Sequence, residues 1–289
     1  MIREEKAHKV RSAILKLLKN MGALSANEIR VIVSLERIVA RLSNDLKLDK
    51  HLIYKGGFVL LKTLGSSRFT RDLDALGLNL EKEQIESLVP AALAVDLDDG
   101  FWFGDVRVES LDEQGEYGAI RFTCAYQISD PPTKKEAIKK NFSRIHFDVG
   151  FGDAIPLDLK HSAMPSLLSL DSNTSWRVYP PEFIFSEKLQ TLVSRESGNS
   201  RAKDVHDMGL LFEQCGLKKL LKAISETFAR RQTAIPASFK AFAENLDTRM
   251  LQSSWKSVKL SHENKPFSES WDLVKAHLAK IDTALARLR

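Results

Sequence analysis

Apolar residues recur along the first fifty positions at helical spacing. Val10, Ala13, Ile14, Leu17, Leu18 and Met21 fall three or four apart, which predicts a packing helix near the N-terminus. Ser25-Ala26-Asn27-Glu28 reads as a capping box. Ile32, Leu35, Val39, Leu42 and Leu46 then form the buried stripe of a long amphipathic helix. His51–Tyr54 predicts a short strand running into Gly56-Gly57, and Phe58–Leu64 a helix. A strand over Asp72–Leu78 and a helix over Lys82–Leu88 follow. Phe101, Phe103, Val106 and Val108 alternate as in a strand. A second strand signal covers Tyr117–Tyr126, with Gly115 and Gly118 marking a hairpin. Pro131-Pro132 opens a lysine-rich loop or connecting helix. In RIHFDVG (144–150), Ile145, Phe147 and Val149 take one strand face while His146 and Asp148 take the other.

Beyond about residue 180 the strand signals fade. Glu182–Ser194, Ala202–Phe212, Leu217–Arg231 and Trp271–Leu288 show helical periodicity, with Glu196–Ser200 a polar loop between two of them. The expected organisation is α+β: a mixed α/β half over 1–175 and a helical half over 176–289 closing over it. No internal repeat or low-complexity segment interrupts it.

Composition narrows the class. A chain of 289 residues with 43% hydrophobic and 28% charged residues is that of an ordinary globular protein with a large core. No apolar run approaches the length of a membrane span, and the charged N-terminal segment is unlike a secretory signal, so a cytoplasmic protein with no membrane association is expected. Cys124 and Cys215 lie far apart and read as reduced structural thiols; the seven histidines form no zinc-type cluster. The net charge of +5 is compatible with a nucleic-acid partner. Basic residues bunch at Lys134, Lys135, Lys139 and Lys140, at Lys218, Lys219 and Lys222, and at Arg230 and Arg231. Each group is either a solvated helix face or part of an RNA-binding patch.

The densest chemistry lies in KGGFVLLKTLGSSRFTRDLDAL (55–76). Gly56 and Gly57 would let backbone N–H groups approach a phosphate chain. A basic, hydroxyl-rich turn (Ser66, Ser67, Arg68, Thr70, Arg71) precedes Asp72 and Asp74, whose two-residue spacing on a strand points both carboxylates one way. Two hard anionic ligands on one strand suit Mg²⁺ completed by substrate phosphates. Taken alone, an Asp-x-Asp is more often a solvated strand end. Asp148, on a strand whose other face is apolar, offers a third acid, as metal ligand or as base. A second group comprises Lys188, Asn199, Ser200, Arg201, Lys203, Asp204 and Asp207, with Asp204 and Asp207 one helical turn apart. Lys188 would neutralise nucleotide phosphates; the plainer account is a network of surface ion pairs of little energetic weight.

The 55–77 segment resembles the signature of the AbiEii/AbiGii toxin-like nucleotidyltransferases. RIHFDVGFGDAIP (144–156), VYPPEFIFSEKLQTLV (178–193) and GNSRAKDVHDMGLL (198–211) are similar to that family in the same order, as are SLERIVARLS (34–43) and MPSLLSL (164–170). The resemblance covers roughly residues 30–212 and implies a DNA-polymerase-β-like nucleotidyltransferase core with a helical C-terminal lobe. It implies a toxin of a bacterial toxin–antitoxin or phage-defence pair, with a cognate antitoxin. It also implies nucleotide transfer from an NTP to a hydroxyl, in some members at tRNA 3′ ends. By motif match, Gly56 and Gly57 are the phosphate-side glycines, Asp72 and Asp74 the metal ligands and Asp148 the acid of the following strand. Lys188 and Asp204 fall on the family's lysine and acid. Many such enzymes carry Gly-Ser where this chain has Gly56-Gly57, so Ser66 or Ser67 would supply the hydroxyl. Residues 213–289 show no match.

Three readings follow. The first is a Mg²⁺-dependent nucleotidyltransferase acting on an RNA hydroxyl. The second moves the nucleotide to a protein or a small molecule. The third keeps the fold as a binding module, a role for which three clustered acids have no use.

Overall fold

The computed structural model describes residues 2–19, 24–111, 118–135, 141–155, 159, 161–168, 174–260 and 265–287. Met21, Gly115, Tyr117, Lys139 and Lys140 lie outside them. The chain divides into two compact units: Met1–Gly65, Phe69–Gly152 and Leu159–Val178 form the first, and Ser66–Arg68, Asp153–Asp158 and Tyr179–Arg289 the second.

In the first unit, α1 (Ile2–Leu18) precedes α2 (Ala26–Asn44). The Ser25 hydroxyl accepts from the Glu28 backbone N–H while the Glu28 carboxylate accepts from Ser25 N at 2.8 Å, closing the capping box. The helix ends sooner than the stripe suggested. Asp45 caps a separate short helix, α3 (Leu46–His51), by accepting from Lys47 N and Leu48 N, which leaves Leu46 78% exposed instead of buried. β1 (Leu52–Lys55) leads directly into α4 (Gly56–Thr63). A buried ion pair holds that helix: Lys62 Nζ lies 2.5 Å from Glu36 Oε1 of α2, and the same carboxylate accepts from Leu167 N.

β2 (Leu73–Gly77), α5 (Lys82–Ala94), β3 (Trp102–Leu111), β4 (Ala119–Gln127) and β5 (Ser143–Gly150) complete the main elements. The helix α5 runs past the expected Leu88, with Pro90 inside it. The sheet order is β1-β2-β5-β4-β3, with β2 and β5 parallel and the other pairs antiparallel. One face buries Leu73, Ala75, Ile120, Phe122, Cys124, Ile145, Phe147 and Val149, with the Phe122 and Phe147 rings stacked at 5.0 Å. The strict alternation of β5 carries His146 and Asp148 to the opposite face. In β3 the expected alternation breaks. The register shifts between Gly104 and Arg107, Asp105 takes φ 44, and Val108 emerges 38% exposed. A two-stranded ribbon, β6 (His161–Ala163) with β7 (Ser175–Arg177), had no sequence signal; it brings Trp176 against Tyr54 and Phe58.

The second unit is helical: α6 (Pro181–Arg195), α7 (Ala202–Leu211), α8 (Leu217–Arg230), α9 (Phe239–Asn245), α10 (Arg249–Trp255) and α11 (Phe267–Ala286). Phe185, Leu189, Ile224, Phe228, Leu278 and Ile281 form its core. The short helices α9 and α10 were not expected, because seven residues span too few turns to show a period. Arg231 also departs from the basic-patch expectation. Its guanidinium turns inward onto Asp153 (2.8 and 3.1 Å) and Gln190 (3.0 Å), fixing the end of α8.

Candidate active site

The polar face of the first unit's sheet is built by register. Leu73 and Ala75 of β2 are buried, so Asp74 and the preceding Asp72 face the other way, each half-buried. Parallel pairing sets Asp74 beside Asp148, and antiparallel pairing sets Asp148 beside Arg121. Arg121 donates from Nε to Asp148 Oδ1 at 2.8 Å and from Nη2 to Oδ2 at 2.7 Å, a fork that occupies both oxygens. His146 Nε2 lies 3.1 Å from Asp72 Oδ1. The hydrogen bond to Asp72 raises the His146 pKa above its ordinary value, against the opposing effect of burial. Hydrogen bonding to Asp148 likewise raises that of Arg121.

Gly56 is dictated by this geometry. Its φ is +75, and a Cβ there would sit 2.2 Å from Asp74 Oδ2. The Asp74 carboxylate therefore rests on the first residue of α4, a position only glycine permits. The two carboxylates of Asp72 and Asp74, hard oxygen donors on one strand and partly exposed, fit a divalent cation such as Mg²⁺. Asp148, expected as the third acid, accepts from Arg121 at both its oxygens. Among the described residues no three acid, histidine or cysteine side chains form a metal-ligand group.

The second unit gathers Arg68, Lys188, Arg201, Asp204 and Asp207. Lys188 Nζ reaches Asp204 Oδ1 at 2.5 Å and Asp207 Oδ2 at 2.9 Å. Arg68 donates from Nε and Nη2 to the two oxygens of Asp207 at 2.8 and 2.9 Å, and Arg201 Nε lies 2.6 Å from Asp204 Oδ2. Burial would raise the Asp207 carboxyl, but the Lys188 and Arg68 charges overcome it and hold it well below the usual carboxylate range. The same balance, with burial again opposing, lowers Asp204 and raises Lys188. These are not surface pairs, because Lys188, Arg68, Asp204 and Asp207 are all buried. Arg201 is the partly exposed member of the group.

Several expected binding residues have local duties. The Ser66 hydroxyl accepts from Arg68 N within its own turn, and buried Asn199 accepts from Arg201 N through Oδ1 at 2.8 Å. Ser67 and Lys203 are half-buried, and Ser200, Lys134, Lys135, Lys218, Lys219 and Lys222 are exposed. Arg121 was missed. Its signal was present, as the one charged residue in the mostly apolar run Ala119–Ala125. His146 was placed on the acid-bearing face without its partner Asp72 being evident.

The family of the nucleotidyl transferase AbiEii toxin, type IV toxin–antitoxin system, matches residues 37–284. No curated protein matches. Among solved structures, JHP933 from Helicobacter pylori superposes with a TM-score of 0.57 at 17% identity, covering 92% of this chain and 96% of that one. A second H. pylori protein, assigned as a nucleotidyltransferase, gives 0.56 at 18% identity over 92% and 99%. At these identities the likeness is one of fold.

Proposed function

This chain belongs to the AbiEii nucleotidyl transferase toxin family, and from that premise we propose that it transfers a nucleoside monophosphate from an NTP to an RNA hydroxyl with Mg²⁺. Family membership makes it a nucleotidyltransferase and implies a cognate antitoxin. No helix among the described residues is long and apolar enough to cross a membrane. The observation that carries the proposal is the Asp72/Asp74 pair on one face, with Asp74 seated against Gly56 at the start of α4.

In the reaction the acceptor oxygen forms a bond to the α-phosphorus, the bond from that phosphorus to the β-bridging oxygen breaks, and pyrophosphate leaves. The hydroxyl proton passes to solvent. Mg²⁺ on Asp72 and Asp74 would neutralise charge on the phosphates. Gly56 and Gly57 bring backbone N–H groups close to the triphosphate. An anion-binding role for Lys188 and Arg201 belongs to the same proposal and is supported by the partly exposed guanidinium of Arg201. The RNA acceptor is supported by the net charge of +5 and by exposed Lys218, Lys219 and Lys222 along α8.

The test is incubation with each labelled NTP, Mg²⁺ and total RNA or lysate. Label in an RNase-sensitive, protease-resistant fraction supports the reading. Label in protein or in a small molecule would replace the acceptor, and absence of label with every NTP would refute the activity.

A further inference from the structure

The bulge in β3 breaks the alternation of its strand, and the residues around it show what it serves. Asp105 takes φ 44, a conformation rare outside glycine, and the register shifts between Gly104 and Arg107. Gly104, Ala125 and Arg144 form one row across β3, β4 and β5. The Trp102 indole lies over the Gly104 end of that row. A Cβ on Gly104 would meet its Cζ2 at 2.3 Å, so the ring fills the space of the missing side chain. Phe142 braces it, with ring centroids 5.3 Å apart. At the other end, the Asp105 carboxylate accepts from Arg144 Nη2 and its backbone carbonyl from Nη1 at 3.3 Å, across buried Ala125. Trp102 is half-buried, whereas Trp176, Trp255 and Trp271 are buried.

These groups share the face of the acids. Phe142, Arg144, His146 and Asp148 alternate with Ile145, Phe147 and Val149, which are buried behind them. Strand rise places Arg144 about 13 Å and Phe142 about 20 Å from Asp148 along β5. The base of an NTP whose phosphates lie at Asp72 and Asp74 does not reach that far. A few nucleotides of extended single strand do.

We propose, on the reading of this face as the nucleotide-transfer site, that Trp102 and Arg144 hold the unpaired 3′ end of an RNA acceptor. Trp102, braced by Phe142, stacks a base a few nucleotides back from the reacting hydroxyl. Arg144 donates to a phosphate between that base and the acids, with the donors that Asp105 leaves over. Stacking on an aromatic ring accepts any base, and a guanidinium suits phosphate oxygens. A ring and a cation set in line along one strand match the alternating bases and phosphates of a single-stranded nucleic acid.

The experiment uses the full chain and an unstructured RNA oligonucleotide with a 5′ fluorophore and a free 3′ hydroxyl. Anisotropy measures RNA affinity over a range of salt, and calorimetry with Mg²⁺ measures affinity for a non-hydrolysable NTP analogue. Thermal melts confirm folding of each variant. Trp102→Ala should weaken RNA binding by roughly 5- to 100-fold, and Trp102→Phe should keep most of it. Arg144→Ala should weaken it too and make the log–log salt dependence shallower by about 0.7. Analogue affinity should stay within about threefold in all three variants. RNA should quench the tryptophan emission of the wild type, and the quench should vanish in Trp102→Phe while RNA still binds, because the other three tryptophans are buried. Unchanged RNA affinity in Trp102→Ala, or a loss of analogue affinity as large as the loss of RNA affinity, would overturn the proposal while leaving the nucleotide-transfer reading standing. So would a quench that persists in Trp102→Phe. A wild-type chain that labels protein and binds no RNA would overturn the proposal and the RNA acceptor together.

Discussion

Replacing Asp207 by asparagine removes the hub of the second unit's charge network and keeps its shape. Asp207 is fully buried, accepts from Arg68 at 2.8 and 2.9 Å, and lies 2.9 Å from Lys188. Without its charge, Arg68 loses the carboxylate that holds both its donors and Lys188 loses one of its two, and both cations are buried. Truncating one partner of a buried ion pair costs about 3–5 kcal/mol, because the remaining charge stays desolvated. That is a large share of a stability of roughly 5–15 kcal/mol. At about 2–4 °C per kcal/mol, the melting temperature should fall by roughly 6–20 °C. The pH dependence fixes the cause. The folded Asp207 carboxyl is held below its ordinary value, so its stabilisation is complete above the unfolded pKa of about 3.9 and is lost as pH falls toward the folded value. The gap between wild type and Asp207→Asn should therefore be full at pH 7 and close progressively below about pH 4. Urea unfolding followed by tryptophan fluorescence at a series of pH values measures both. A loss under about 1 kcal/mol, or a gap equally wide at pH 7 and pH 2.5, would refute the account.

Gly56→Ala must place a Cβ 2.2 Å from Asp74 Oδ2 at φ +75, so it should destabilise the fold by about 1–2 kcal/mol and slow transfer by displacing Asp74. A wild-type melt and rate would show that the close approach is dispensable. Asp72→Ala and Asp74→Ala should abolish labelled transfer while shifting stability by less than about 1 kcal/mol, since both side chains are half-exposed. Wild-type transfer in the double variant would remove this face from the chemistry. Substituting Lys218, Lys219 and Lys222 with glutamate should weaken RNA binding and make the salt dependence shallower by about two in log–log slope. A transfer rate and slope equal to wild type would exclude α8 from RNA contact.

Much of the architecture is written locally. The capping box at Ser25, the alternation of Ile145, Phe147 and Val149, and the long helical periods after residue 180 each depend on neighbours two to four positions away. The same holds for Asp72 and Asp74 sharing a face, because strand geometry alone enforces it. Gly56 and Gly57 could be singled out by residue type, though the reason for Gly56, the carboxylate pressed against it, is a tertiary fact. What could not be read locally was who pairs with whom. Arg121 and Asp148 are 27 residues apart, and Arg68 and Asp207 are 139 apart. Only strand register and helix packing bring them within 3 Å. Leu46 failed as a buried residue and the alternation through Val108 broke for a related reason, since a cap at Asp45 and a bulge near Asp105 interrupt periods that the apolar pattern continues. Periodicity reports which side of an element a residue occupies. The partner of a buried charge is decided by desolvation, which penalises every arrangement that leaves it unpaired, and that cost exists only once the chain has folded around it.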